Sequence, residues 1–219
     1  MKPITTIYFD FGNVLTHPSH DLLNSFLKNL ANKKNLSYSL LHKAYVTHRP
    51  EYDRDTLSPA EYWSTLLTEA GGSLKPEELS WLIEQDDHCW SQINEEVIEW
   101  IKVLKQEGFA LGLLTNMPYR FFQVVVASSQ WKGLFQYLVV SGQLGYIKPQ
   151  EEIFHYAVKI CGASPEQILY LDDIEEHIKT ASRLGIQAYQ FTHLSEIANT
   201  LCPLYHLPFP PSLLAKVVR

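Results

Sequence analysis

The sequence is short of positive charge and of cysteine, and it has no long apolar run. Lysine and arginine number 18 against 24 acidic residues, a net charge of -6 over 219 residues. A nucleic-acid surface needs clustered basic side chains, so that class of partner is excluded. The three cysteines, Cys89, Cys161 and Cys202, are far apart and odd in number. That suits a reduced compartment and gives neither a disulfide framework nor metal-ligand spacing. Nine histidines contain no HExxH pair, which argues against a zinc hydrolase. No apolar stretch reaches membrane-spanning length, and the first residues lack a signal-peptide pattern. The expectation is a cytoplasmic chain with no membrane or nucleic-acid partner. Repeats and low-complexity linkers are also missing.

What is present is a set of short β-rich runs: TTIYF (5–9), FALGLLT (109–115), YLVVS (137–141), QILYL (167–171) and QAYQF (187–191). Four are almost continuously apolar, as strands buried on both faces of a parallel sheet are. Helical patterns separate them. Asn94 caps EEVIEWIKVLKQE, which stops at Gly108. Segment 149–161 stops at Gly162, and segment 173–184 at Gly185. Strand and helix alternate from residue 94 onward, which predicts a doubly wound α/β domain.

Residues 16–93 break the rhythm. They hold only helical patterns, among them LSPAEYWSTLLTEAG (57–71), where Ser58, Pro59 and Glu61 make a capping-box start, and a helix beginning near Pro76. A βα connection does not need so many residues. The reading is a helical cap domain, 16–93, inserted into an α/β core made of 1–15 and 94–219. Tyr62, Trp63, Trp81 and Trp90 sit at helical spacing and are read as the cap's own core. THRPEYDRDTL (47–57), with Arg49, Tyr52 and Arg54, is read as a link between two helices and the first candidate for substrate selection. The proline-rich tail, 202–219, is left open between packing on the core and contacting a partner.

Ligands bind beyond the carboxyl ends of strands in open parallel sheets. The residues placed there are Asp10 after the first strand, Thr115 and Asn116 after the second, Lys148 in the loop GQLGYIKPQ, and Asp172 and Asp173 after the fourth. Each alone reads as a helix cap or a loop residue. Together, three carboxylates facing one lysine repel one another, and a divalent cation with oxygen ligands, Mg²⁺, offsets them. Asp10 would then attack phosphorus, Lys148 would hold the phosphoryl group, and Thr115 would cradle its oxygens.

YFDFGNVL around Asp10, LLTN at 113–116, GYIKP at 145–149 and YLDD at 170–173 resemble, in order, the four motifs of the haloacid dehalogenase (HAD) superfamily. The helical insertion after the first motif is similar to the α-helical cap of its dehalogenase-type branch. SGQLGYIKPQEEIFHYA (141–157) resembles the branch holding sugar-phosphate phosphatases, among them glucose-1-phosphate phosphatases, and the N-terminal phosphatase domain of epoxide hydrolases. The resemblance implies a Rossmann-like HAD core. It implies an Mg²⁺-dependent phosphatase for a small phosphorylated metabolite, a sugar phosphate among the candidates, acting through an aspartyl-phosphate at Asp10. The metal set it implies is Asp10, the Gly12 carbonyl and Asp173 directly, with Asp172 further out; Asn116 would face the phosphate or substrate.

One position departs from the pattern. Most phosphatases of the superfamily place a second aspartate two residues after the nucleophile, as general acid and base. Here it is Gly12, and the loss of such a group costs about 10²–10⁴-fold in rate. Three outcomes follow. The chain is a phosphatase whose leaving group needs little protonation, or for which another acid such as His17 substitutes, although His17 reads first as an exposed loop residue. It is a 2-haloacid dehalogenase, whose halide leaves without a proton. Or it is a weakly catalytic phosphometabolite-binding protein. His177, where relatives often have asparagine, reads as a surface helical residue.

Overall fold

The computed structural model describes residues 2–217. Its strands are β1 (Thr6–Phe9), β2 (Ala110–Thr115), β3 (Tyr137–Val140), β4 (Ile168–Asp172) and β5 (Gln187–Gln190). They form one all-parallel sheet in the order β3-β2-β1-β4-β5. Each of the five expected runs is a strand; four are trimmed by one residue and the run expected at 167–171 is shifted by one, to Ile168–Asp172.

The near-continuous apolar strands are buried on both sides. Ile7, Phe9, Leu111, Leu113, Leu169 and Leu171 point to one face, and Tyr8, Leu114, Ile168 and Tyr170 to the other. Alternate residues of a strand face opposite ways, so two separate clusters form. The first cluster takes the apolar stripes of α5 (Glu95–Gln106) and α10 (Leu194–Tyr205). After the short helices α6 (Tyr119–Phe121) and α7 (Ser141–Leu144), the second takes those of α8 (Glu151–Cys161) and α9 (Glu175–Arg183). Asn94 caps α5 as expected, its side chain accepting from the Glu96 and Val97 N–H groups. Gly112 is in a strand for a steric reason. It is in register with Tyr8, and a Cβ there would meet the Tyr8 ring at 2.2 Å. With no side chain at 112 there is room for the Tyr8 ring, and the Tyr8 hydroxyl donates to the Ala157 carbonyl at 2.8 Å.

Between β1 and β2 the chain forms α1 (His20–Lys34), α2 (Tyr38–Asp53), α3 (Pro59–Glu69) and α4 (Leu79–Trp90). The outgoing and returning strands touch. Thr16 and Ile93 make an antiparallel bridge, and the Asn94 N–H donates to the Leu15 carbonyl at 2.8 Å. The four helices enclose an apolar cluster of their own, with Tyr62 and Trp63 at its centre and the Tyr52 ring stacked on Tyr62 at 4.3 Å. Ser58 and Glu61 form the expected capping box at the start of α3. Residues 47–53, expected in a link, are instead the last turns of α2, which runs through Pro50. Burial of Leu41, Ala44, Tyr45 and Tyr52 on one side of the helix outweighs the proline's poor helical propensity. Among the described residues no helix is long and apolar enough to cross a membrane.

The tail packs on the core. The Trp100 indole N–H donates to the Pro208 carbonyl at 2.9 Å, Leu207 and Leu213 enter the first cluster, and α11 (Pro211–Val217) follows. Phe154, fully buried, packs edge-on against Tyr170 at 5.7 Å. We expect Phe154→Ala to lower stability by about 3–5 kcal/mol in urea denaturation; a loss under about 1 kcal/mol would contradict this packing.

Candidate active site

The sheet order places the site. From the central β1 the chain steps outward through β2 and β3, then returns to β4 on the other side. The reversal opens a crevice at the carboxyl ends of β1 and β4. Phe9 pairs with Leu171, so the next residues, Asp10 and Asp172, lie side by side. The Asp10 N–H donates to the Leu171 carbonyl at 2.8 Å, extending the ladder by one residue. Asp10, Asp172 and Asp173 present carboxylate oxygens that all lie within 4.8 Å of one another.

Lys148 is driven into this cluster from the loop that follows β3. Its main chain is held at both ends by one side chain. The Lys148 N–H donates to Asn116 Oδ1 at 2.8 Å, and Asn116 Nδ2 donates to the Lys148 carbonyl at 3.0 Å. The Nζ then contacts Asp10 Oδ1 at 2.7 Å, Asp172 Oδ2 at 2.7 Å and the Leu114 carbonyl at 3.0 Å. An ammonium has three N–H groups, and each has a partner here. Asn116 was expected to face phosphate or substrate. It lines the crevice, but its amide is engaged with Lys148.

The charges do not balance. One ammonium faces three carboxylates. Burial pushes the Asp10 carboxyl up to about 7; Lys148 opposes this, while Asp172 and Asp173 add to it. Burial also raises Asp173, only partly offset by its hydrogen bond from Asn13. Burial would raise Asp172 too, but the Lys148 charge and the His177 hydrogen bond outweigh it and hold that carboxyl well below its usual range. Burial alone would lower Lys148; the Asp10 and Asp172 charges overcome it and keep the ammonium protonated.

This donor set fits a hard divalent cation, because two buried negative charges remain for it to neutralise and all the available ligands are oxygens. Asp173 could serve as one of the ligands, since a single side chain orients it. Asn13, in the left-handed region at φ 56°, donates from Nδ2 to Asp173 Oδ2 at 2.8 Å and accepts from the Ser19 N–H at 3.0 Å. Asp172 is crowded with donors: Lys148, the Tyr170 hydroxyl, the Ile174 N–H at 2.8 Å and His177 Nδ1 at 3.0 Å. That suits an outer position better than direct ligation. Tyr170 reaches Asp172 because residues two apart share a strand face. His177, read from sequence as a surface residue, is buried; it sits in the first turn of α9, aimed back at the end of β4.

Above the carboxylates lies a cavity of about 440 Å³. Asp10, Gly12, Asn116, Lys148 and Asp173 line its floor. Thr115, the expected phosphate cradle, is buried at the end of β2 and is not among the lining residues. His17 lines a different depression, beside His193. Of the segment 47–57, Arg49, Pro50 and Asp53 line the cavity, whereas Tyr52 is buried against Tyr62 and Arg54 is not a lining residue. Trp90, read as part of the helical core, also lines the cavity. A Cβ on Gly12 would meet its six-membered ring at 3.4 Å. Its N–H donates to the Tyr45 hydroxyl at 3.0 Å. The pairing of residues 12 and 90 is a tertiary contact with no signal in the sequence. Tyr170, by contrast, was readable from its alternation with Asp172.

A family model described as haloacid dehalogenase-like hydrolase matches residues 4–185. Among curated proteins, the chain is 24% identical to phosphoglycolate phosphatase 1 of Pseudomonas aeruginosa over 49% of its own length. It is 26% identical to bifunctional epoxide hydrolase 2 of Mus musculus over 92% of its length. In each case the match spans 40% of the relative, less than half of it. Among solved structures, a HAD family enzyme of Bacteroides thetaiotaomicron in complex with magnesium and inorganic phosphate has the same fold. Its TM-score is 0.64 at 18% identity, covering 86% of this chain and 94% of that one.

The Asn116 clamp is open to direct test. Asn116→Ala leaves the main-chain N–H and carbonyl of buried Lys148 without these partners, and a loss of about 1–3 kcal/mol is expected in urea denaturation. Unchanged stability would show that the loop holds Lys148 without Asn116.

Proposed function

The chain belongs to the haloacid dehalogenase-like hydrolase family, and we propose that within it this protein is an Mg²⁺-dependent phosphatase acting on a small phosphorylated molecule in the cytoplasm. The observation that carries this reading is the buried cluster of Asp10, Lys148, Asp172 and Asp173, with more negative charge than its one lysine offsets. A halide-releasing enzyme gains nothing from that surplus of carboxylate; a phosphoryl-transfer site uses it to bind a cation.

In this reading an Asp10 oxygen attacks phosphorus in line, the bond from phosphorus to the ester oxygen breaks, and an aspartyl-phosphate forms. Lys148, at 2.7 Å, orients that carboxylate and favours its ionised form against the burial that opposes it. Water then attacks the acyl phosphate, releasing phosphate and restoring Asp10. Asp10, the Gly12 carbonyl and Asp173 would hold Mg²⁺, with Asp172 behind them; when bound, the ion neutralises the phosphoryl oxygens. Thr115 is proposed to support the phosphate site from the end of β2. Asn116 acts by holding Lys148.

Residues 16–93 are proposed to be a cap over a core of 1–15 and 94–219. Three contacts tie the two parts together beside the crevice. The Ser141 hydroxyl donates to the Asp53 carbonyl at 2.5 Å, the Tyr119 N–H donates to Asp55 Oδ2 at 3.2 Å, and Arg120 pairs with Asp87. Closure of such a cap excludes water from the reacting phosphate.

Two measurements test the reading. Asp10→Asn should reduce phosphate release by about 10⁴-fold or more with the thermal unfolding profile intact; hydrolysis at the wild-type rate would refute the nucleophile. Magnesium at about a hundred times its dissociation constant should stabilise the wild-type fold by about 2.7 kcal/mol, and Asp173→Asn should lose most of that gain. An equal gain in both would remove Asp173 from the metal site. Halide release from a 2-haloacid without metal would replace the phosphatase reading by a dehalogenase.

A further inference from the structure

The cavity above the carboxylates differs from its floor in chemistry. Leu23, Val46, Pro50 and Trp90 come down from the helical insertion, and Phe121 and Ile147 rise from the core side. The polar groups of the upper wall are engaged with one another. Tyr45 donates to Asp86 Oδ1 at 2.6 Å and accepts from Trp90 and from Arg49. Arg49 Nε donates to Asp53 Oδ1 at 2.7 Å, and its Nη1 reaches both Asp86 oxygens at 3.2 and 3.1 Å. The guanidinium also lies over the rings of Tyr45, Tyr52 and Trp90, at 5.5, 5.6 and 5.2 Å. One guanidinium shared by two buried carboxylates leaves no positive charge for a second anionic group on a ligand. The hydroxyls of a sugar would likewise have to break these bonds, and a site without matching polar partners discriminates poorly in favour of a polar ligand.

The floor adds a second constraint. Position 12 carries no acid, and the Trp90 ring covers the place where its side chain would project. In this reading an ester oxygen leaving on the Gly12 side departs beside an indole, and the carboxyl group of the upper wall, Asp53, is held by Arg49 at 2.7 Å. An alkoxide is close to hydroxide in basicity, with pKa about 15.7 for water, and leaves badly without a proton. A phenolate, of pKa about 10, leaves without one. Both constraints point to the same leaving group, one that is flat, apolar and weakly basic.

Building on the phosphatase reading above, we propose that the substrates are phosphate monoesters of phenols or enols with an apolar body, held between Trp90 and the apolar wall, and that sugar phosphates and esters bearing a second acid are poor substrates. The bond from Asp10 to phosphorus forms as the bond from phosphorus to the aryl or enol oxygen breaks. The departing anion takes its proton from solvent. Water then supplies the oxygen and protons that release inorganic phosphate and restore Asp10.

The test is a leaving-group series with the wild-type protein and Mg²⁺. It compares kcat/KM for phenyl phosphate, 4-nitrophenyl phosphate, 2-phenylethyl phosphate, glucose 6-phosphate and 2-phosphoglycolate. Phenyl phosphate should exceed 2-phenylethyl phosphate, similar in apolar bulk but an alkyl ester, by about 10²-fold or more. 4-Nitrophenyl phosphate should be faster still, and the last two esters should be the slowest. A 2-phenylethyl ester within about tenfold of the phenyl ester, or a preference for the sugar or the carboxylate ester, overturns the proposal while the phosphatase reading stands. No phosphate from any ester overturns both. The Trp90→Ala variant separates the wall from leaving-group chemistry. It should raise KM for phenyl phosphate by about tenfold, with a smaller effect on acetyl phosphate, which has no ring. Equal effects on the two would remove Trp90 from the binding surface.

Discussion

The contact between Lys148 and two carboxylates, at 2.7 Å each and buried in the crevice, is what the remainder of the site is arranged around. Isolated charges at such a place would lose their ionisation, since the desolvation of each costs several kcal/mol. One lysine answers two of the three acids and leaves a deficit of positive charge. The deficit explains the geometry around it: Asn13 orients Asp173, Asn116 fixes the lysine's main chain, and Tyr170 and His177 surround Asp172. A parallel sheet with a reversal of strand order delivers these groups to one end without any of them being near another in sequence.

The helical insertion contributes the other half of the cavity, and it does so with a different logic. Its charged residues, Arg49, Asp53 and Asp86, are closed on each other and on Tyr45. What it presents to the crevice is largely hydrocarbon and the Trp90 ring. A polar floor with a surplus of carboxylate beneath an apolar roof matches the two parts of the proposed phosphate ester, the group that reacts and the group that leaves. The absence of an acid at position 12 and the apolar roof are consistent with each other, because a leaving group that needs no proton has no need of an acid beside it.

Much of this was legible in the sequence. The five apolar runs, the caps at Asn94 and Ser58 and the strand-end acids rest on local patterns with a period of two or 3.6 residues, and those survive folding unchanged. The misreadings lie where tertiary contacts decide. Pro50 signalled a break that burial of α2 overrides. His177 gave no hint that its helix starts two residues earlier and turns it toward Asp172. Trp90 and Gly12 are far apart in the chain, and nothing in either segment announces that one covers the other. Asn116 lines the crevice, and its hydrogen bonds to the Lys148 main chain had no signal in the sequence because the loop that returns with Lys148 is a long-range neighbour.

The proposed chemistry has a kinetic consequence of its own. Without an acid-base group at position 12, water is not activated when it attacks the acyl phosphate, so the covalent form should build up during turnover. Acid quenching of the wild-type protein during steady-state reaction with phenyl phosphate and Mg²⁺, followed by peptide mass mapping, tests this most directly. The account predicts a phosphoryl group on the peptide that carries Asp10, lost on treatment with hydroxylamine. Steady phosphate release with that peptide unmodified, or with the phosphoryl group on another residue, would contradict it.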